Sequence, residues 1–267
     1  MNRGLFLLIA VATLITGCHM AGHKSGSLRT DNARCDGYGM HASACTAVRV
    51  FCRCKIREQG AAGVLGAEPP QIASLKTGDL IFIGIPADYS LDQGSMDEAI
   101  SASTGSGTLN LIHVAIAEVC KDSVWIIDAT IKHGVDRHPL DTMLKEFTLK
   151  DGSQPTYIVK RLKHSRHAAQ YVDNAKTFLG QPYDAAFLPD NGALYCTELV
   201  RESYRTPKGR YLFAEKPMNF KNADGEFPLY WQQLFALIGQ DIPQGVPGTN
   251  PQDMSQAACL KRAAVSF

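Results

Sequence analysis

The chain has 267 residues, of which 45% are hydrophobic and 20% are charged, and its formal net charge is +1. This size and composition are those of an ordinary globular protein with one large or two small folded units. The nearly balanced charge, without a basic stripe that carries interleaved aromatic residues, argues against a nucleic-acid partner.

The first 18 residues have the pattern of a secretion signal. Met1-Asn2-Arg3 is a positively charged start, and residues 5–15 form an apolar core of signal-peptide length. Small residues then precede Cys18, which resembles a bacterial lipoprotein signal, in which the cysteine becomes the lipidated first residue. An ordinary signal peptide or an uncleaved anchor helix is the alternative. We therefore predict an exported protein of the bacterial cell envelope, held at the membrane by a lipid on Cys18.

Residues 19–70 are predicted to be a tether of low order, because they show no helix or strand period and end in a Gly- and Pro-rich stretch. Four cysteines fall here with the spacing C-x9-C-x6-C-x-C. This spacing lacks the paired C-x2-C of structural zinc sites, so we predict neither a metal nor a cofactor. In an exported protein, six cysteines are candidates for disulfides whose pairing the sequence leaves open: Cys35, Cys45, Cys52, Cys54, Cys120 and Cys259.

A folded domain over residues 71–267 is predicted from the elements that follow the tether. Apolar runs predict strands at residues 80–85, 111–119, 123–130 and 156–162. Residues 86–110 are rich in Gly and Ser and are expected to form chiefly a mobile loop, which could carry a short helix at residues 96–101. Residues 134–137 are expected to form a turn. Helical spacing predicts helices at residues 139–147, from 165 or 166 to 179, from 196 onward and at 230–238.

His113 and Asp128 lie on consecutive predicted strands. In an antiparallel pair of strands, directly opposed residues point to the same side of the sheet. When the connecting loop has an even number of residues, the residue numbers of each opposed pair sum to an odd number. His113 and Asp128 sum to 241, so a regular hairpin places them on one face, whereas a bulge or an odd loop would separate them. His113 alone among the histidines lies in an apolar strand, whereas His138 and the others lie in polar, turn-like or tether sequence. A core histidine bonded to a backbone carbonyl is the alternative interpretation of His113.

Cys196 is predicted to begin a helix, because a turn-forming Pro-Asp-Asn-Gly stretch precedes it and Leu199, Val200 and Tyr204 follow at helical spacing. Unpaired backbone N–H groups at a helix start favour a thiolate. Cys196 is therefore a candidate nucleophile, although a cysteine that simply fills core volume is the alternative. His113 and Asp128 would supply the base and the orienting acid that a cysteine hydrolase needs.

Several short motifs occur in an order that resembles a known family. They are G-D-L-I-F at residues 78–82, H-V-A-I at 113–116, D-A-T at 128–130, G-V at 134–135, P-L at 139–140, F-L-G-Q-P-Y-D at 178–184, Y-C-T-E-L-V at 195–200 and P-x-G-x-P-G-T-N-P at 243–251. Over about residues 75–251, the chain resembles the permuted NlpC-type papain-like cysteine hydrolases of the YiiX/YebB-like group.

This resemblance implies a fold and a set of site residues. The fold is α+β and papain-like in circularly permuted order, with an antiparallel sheet or barrel packed against the helix that bears the nucleophile. The resemblance makes Cys196 the nucleophile, His113 the base and Asp128 the orienting residue. The group usually carries Glu at the third position, so Asp128 is a departure.

The resemblance also predicts substrate-binding residues. Tyr183 and Asp184 match the P-Y-D of the group and are expected to shape the site, together with Tyr195 beside the nucleophile. We expect an amide hydrolase that acts on cell-wall peptides through a thioester. The alternatives are a lipid acyl hydrolase or acyltransferase, because relatives of the permuted fold include acyltransferases, or a catalytically idle binding lipoprotein.

Overall fold

The structure, a computed structural model, describes residues 75–105 and 108–265, all of which belong to one of the two compact units into which the chain divides. The predicted signal peptide with Cys18, and the tether with its four cysteines, lie outside the described residues. Within them, no helix has the length and hydropathy to cross a bilayer.

The described residues form eight strands and six helices. The strands are β1 Leu80–Pro86, β2 Leu109–Cys120, β3 Ser123–Thr130, β4 Gly134–Pro139, β5 Thr156–Leu162, β6 Lys216–Pro217, β7 Pro247–Gly248 and β8 Leu260–Arg262. The helices are α1 Met96–Thr104, α2 Leu140–Glu146, α3 Ala168–Lys176, α4 Cys196–Ser203, α5 Leu229–Ile238 and α6 Pro251–Ser255.

Six strands form one antiparallel sheet in the order β4-β3-β2-β1-β5-β8, and β6 pairs with β7. The sheet is open, with β4 and β8 at its edges. The sequence predicted either a sheet or a barrel, and the structure shows a sheet. The α+β fold class predicted from the sequence is therefore confirmed.

The sheet is covered on both faces, which explains why β1 is apolar throughout. Its residues alternate between two cores, as the period of a strand requires. Leu80 and Phe82 pack with residues of α3 and α4, whereas Ile81 and Ile83 pack with residues of α2. This two-sided burial fixes the registers of β1 and β2, because a slip of one residue would exchange the two faces.

Three predicted elements differ from the structure. Residues 134–137 were predicted as a turn but belong to β4, which pairs with β3 along its whole length. The short helix expected in the 86–110 loop forms as α1, which begins at Met96 as expected but reaches Thr104 instead of residue 101. Ser95 holds its start, because its hydroxyl accepts from Glu98 N while Glu98 Oε2 accepts from Gly94 N. Helix α3 ends at Lys176 rather than at residue 179, and turns lead from there into Gly180.

Candidate active site

Helix α4 begins at Cys196, as the sequence predicted. Tyr195 precedes it in an extended conformation and caps the helix without a side-chain hydrogen bond. The first backbone N–H groups of a helix have no acceptor within it, so this end of α4 presents donors beside the sulfur. Cys196 is 7% exposed and packs with the core between α4 and the sheet.

The β2–β3 hairpin brings His113 and Asp128 together. A two-residue loop connects the strands, and the residue numbers of each directly opposed pair sum to 243. The numbers of His113 and Asp128 sum to 241, two less, so these residues lie diagonally across the pair on the same face. His113 Nε2 lies 2.8 Å from Asp128 Oδ2. A bulge does occur in β2, at Ile112, where it interrupts the pairing with β1. The β2–β3 pairs, from Ile116–Ile127 to Cys120–Ser123, keep a single register.

His113 also contacts Cys196 through a side-chain hydrogen bond. Because Asp128 occupies Nε2, the other ring nitrogen, Nδ1, is the one available to the sulfur. Burial by itself would lower the pKa of His113, but the interactions with the Cys196 side chain and the Asp128 carboxylate outweigh it and raise the pKa to about 10. The Phe147 ring packs against the imidazole with the two ring centroids 4.8 Å apart.

Asp128 has a second histidine partner, which the sequence analysis missed. His138 Nε2 lies 3.1 Å from Asp128 Oδ1, so each carboxylate oxygen contacts a different imidazole. Burial would raise the pKa of Asp128, but the hydrogen bonds from His113 and His138 lower it to about 2, and the group is ionised. His138 lies diagonally across the β3–β4 pair, in which Asp128 opposes Asp136. The same register argument that linked His113 to Asp128 would have found His138 had β4 been recognised as a strand.

Of the predicted substrate-binding residues, Tyr183 and Tyr195 line a cavity beside Cys196, and Asp184 does not. The Tyr195 hydroxyl accepts from Thr249 N at 3.1 Å, which ties the start of α4 to the β7–α6 connection. The Asp184 carboxylate is buried and accepts hydrogen bonds within its own loop, from Ala186 N, Leu188 N and Asn191 Nδ2. Its contacts hold the loop that leads from Tyr183 toward α4.

The cavity beside Cys196 has a volume of about 540 Å³, which is large enough for a small-molecule substrate. Cys196 and His113 contribute to its wall. Apolar side chains supply most of the remaining lining surface: Met96, Ile100, Ile112, Ala129, Ile131, Phe147, Tyr183, Phe187, Tyr195, Met218, Phe220, Trp231 and Pro251. The polar lining residues are Asp97, Ser103, Thr104, Thr130, Lys132, Glu146, Thr197, Asn219, Thr249 and Asn250. Within this lining Trp231 packs edge-to-face on Phe187 and on Phe220, at 5.4 Å and 5.2 Å between ring centroids.

Sequence comparison identifies the family. The profile of the permuted papain-like amidases, the YaeF/YiiX or C92 peptidase family, matches residues 74–263. The chain belongs to this family. Within it, the uncharacterized protein YiiX of Escherichia coli K12 is 24% identical over 194 residues, which make up 71% of this chain and 86% of that protein.

A solved structure of the family has the same fold. The crystal structure of yiiX from Escherichia coli O157:H7, which its description calls a metalloprotein, matches with a TM-score of 0.56 and 24% identity. The match covers 73% of this chain and 99% of that one. In residues 75–105 and 108–265 of this chain, no group of three or more His, Cys, Asp or Glu side chains is arranged to hold a metal ion.

Proposed function

We propose that this amidase uses Cys196 as its nucleophile, His113 as its acid and base, and Asp128 to orient His113. The observation that supports this most directly is the continuous chain of contacts from Cys196 to His113 to Asp128 at the wall of one cavity. A thiolate beside a protonated imidazole is the reactive pair that thiol hydrolysis requires. The acid behind the ring holds the ring nitrogen Nδ1 toward the sulfur.

The reaction that follows from this geometry has two halves. The Cys196 thiolate attacks the acyl carbon, and the backbone N–H of Cys196 supports the negative charge that develops on the oxygen. The C–N bond then breaks as His113 gives its proton to the departing amine, which leaves a thioester. Water attacks the thioester while His113 takes its proton, and the carboxylic acid and the thiolate are released.

The substrate that we propose is an amide whose acyl part is apolar. An aliphatic chain gains about 0.8 kcal/mol for each CH₂ that enters an apolar cavity. Cell-wall peptides, which the sequence analysis favoured, carry carboxylates that need cationic partners. The one lysine in the lining, Lys132, is paired with Glu146 at 2.7 Å. The lining thus favours the acyl alternative that the sequence left open.

Location is part of the proposal and is supported by the sequence of residues 1–18 alone. An export signal that ends at Cys18 would attach the enzyme to a membrane by a lipid. This arrangement suits an apolar substrate, because acyl chains partition into the same bilayer. Radiolabelled fatty acid should be incorporated into the full-length protein and not into Cys18→Ser.

The experiment that tests the proposed chemistry uses the full-length protein and acyl p-nitroanilides from two to twelve carbons, with cell-wall peptides in parallel. We expect p-nitroaniline release to rise with chain length, and to be lost in Cys196→Ala. Cys259→Ala is the matched control, because Cys259 is a free thiol outside the cavity lining. If Cys196→Ala still releases p-nitroaniline, Cys196 is not the nucleophile. Cell-wall peptides cleaved faster than every acyl anilide would refute the substrate class.

A further inference from the structure

His138 is placed between two hydrogen-bond acceptors. Its Nε2 lies 3.1 Å from Asp128 Oδ1, and its Nδ1 lies 3.2 Å from the carbonyl oxygen of Pro139. A neutral imidazole carries one N–H, so one of these contacts would bring two lone pairs together. An imidazolium has an N–H on each nitrogen and satisfies both acceptors. The contacts of His138 therefore require a ring that carries a positive charge.

Neither acceptor of His138 can donate a proton to the ring in place of a second ring N–H. Asp128 is ionised, as the hydrogen bonds from two histidines require, and the Pro139 carbonyl has no proton to give. Burial by itself lowers the pKa of His138, but the Asp128 carboxylate and the Pro139 carbonyl outweigh it, and Asp136 adds to their effect, so the pKa is raised.

The charges around His138 are consistent with an imidazolium. Helix α2 packs against β4, the strand that carries His138. Of its charged side chains, Asp141 and Lys145 are exposed and Glu146 is paired with Lys132. Beyond Asp128 lies the imidazolium of His113. From His113 through Asp128 to His138 the buried charges are then positive, negative and positive, so each of them has a neighbour of opposite sign.

We propose that His138 is a positioning residue, an imidazolium that holds one oxygen of Asp128 so that the other oxygen keeps His113 directed at Cys196. A carboxylate bonded through one oxygen can turn about its Cβ–Cγ bond. Asp128 cannot, because its two oxygens are bonded to rings on opposite sides. The inference rests on the proposed function of Cys196, His113 and Asp128, and adds a fourth group that acts only through the third.

The charge is tested by ¹⁵N NMR of the histidine rings in the full-length protein between pH 5 and 9. We expect both nitrogens of His138 to carry protons at pH 7 and to keep them above the ordinary histidine pKa of about 6.5. A bare nitrogen on His138 at pH 7 would overturn the inference. This measurement does not depend on catalysis, so it separates the charge of His138 from the role of Cys196.

The positioning role is tested with two variants, His138→Gln and His138→Leu. Gln keeps an N–H donor near the place of Nε2 without the charge, and Leu has a similar volume without a donor. The readout is the rate at which iodoacetamide alkylates Cys196 at pH 6, with the modified peptide quantified by mass spectrometry. We expect His138→Leu to react at least about tenfold more slowly than wild type, and His138→Gln to stay within about threefold.

Thermal melts of both variants exclude unfolding as the cause. The positioning role is wrong if folded His138→Leu reacts as fast as wild type, or if folded His138→Gln is as slow as His138→Leu. Should the Leu variant not fold, the Gln variant and the NMR spectrum decide. Wild-type Cys196 that reacts at pH 6 no faster than Cys259 would refute the proposed function, whatever the charge of His138.

Discussion

At the scale of single residues, the pair formed by Cys196 and His113 is the feature on which the chemistry depends. The imidazole is buried, and burial opposes its charge, yet its pKa is raised to about 10. Two side chains interact with it, Cys196 and Asp128, and both favour the protonated ring. Either interaction alone would have to offset the same desolvation, so the protonated ring depends on both.

Replacing the sulfur should therefore lower the pKa of His113. In Cys196→Ala the thiolate is gone while burial and Asp128 remain, so the pKa should fall from about 10 toward its ordinary value of about 6.5. The pKa is measured from the ¹³Cε1 chemical shift of His113 as a function of pH. Cys259→Ala, which leaves the site intact, should not change it. An unchanged pKa in Cys196→Ala would mean that Cys196 does not carry the negative charge that His113 faces.

At the scale of elements, the start of β4 is packed against the segment that leads to Tyr183. Gly134 has φ +70°, and a Cβ added there would lie 2.3 Å from the Gln181 carbonyl oxygen. Backbone hydrogen bonds lie on either side of this contact, from Val135 N to Gln181 O and from Gly180 N to Val135 O. Only glycine combines that backbone conformation with so close an approach. The edge strand that carries His138 is thereby joined to the segment before α4.

Gly134→Ala should therefore destabilise the protein by at least about 2 kcal/mol, through both backbone strain and the clash. Gly152→Ala is the matched control, because Gly152 has φ +83° and nothing within 4 Å of an added Cβ. Its cost should be the strain alone, about 1 kcal/mol. Urea denaturation of the two variants measures the difference. If Gly134→Ala and Gly152→Ala are equally destabilised, the clash of an added Cβ with the Gln181 carbonyl oxygen does not contribute to the loss of stability.

The elements differ in how far the sequence predicts them. β1, β2 and β3 are apolar runs, because they are buried or nearly so in the sheet, and the sequence predicted all three. β4 is six residues long, is polar and ends in Pro, and only its pairing with β3 makes it a strand. β6, β7 and β8 have two or three residues each and are likewise defined by distant partners.

The contrast between apolar strands and strands defined only by their pairing also explains which site residues the sequence predicted. His113 and Asp128 lie on predicted strands, so their proximity followed from the hairpin register, whereas His138 lies on the strand that was not recognised. The cavity was beyond prediction for another reason. Met96, Phe147 and Trp231 come from three separate helices or their ends, and their meeting is a property of tertiary packing. Composition and spacing along the chain do not reveal it.

At the scale of the whole molecule, the fold removes four ionisable groups from water between a sheet and its covering helices. Three of these groups, His113, Asp128 and His138, then titrate differently in the folded and unfolded chain, so stability depends on pH. For Asp128 the direction is clear. Its pKa is about 2 in the folded protein and about 3.9 in an unfolded chain, so above pH 4 its ionised form contributes stability in full. That contribution is lost as the pH falls toward 2.

The free energy of unfolding of wild type, minus that of Asp128→Asn, should therefore shrink by about 2 kcal/mol between pH 5 and pH 2. The asparagine does not titrate, so it carries no part of this change, and other acids cancel in the subtraction. Urea denaturation followed by tryptophan fluorescence measures both proteins at each pH. Asp122→Asn, at an exposed position of the β2–β3 loop, is the control, and its difference from wild type should stay nearly constant. If the Asp128→Asn difference is equally constant, the folded carboxylate does not have the lowered pKa that two imidazolium partners impose.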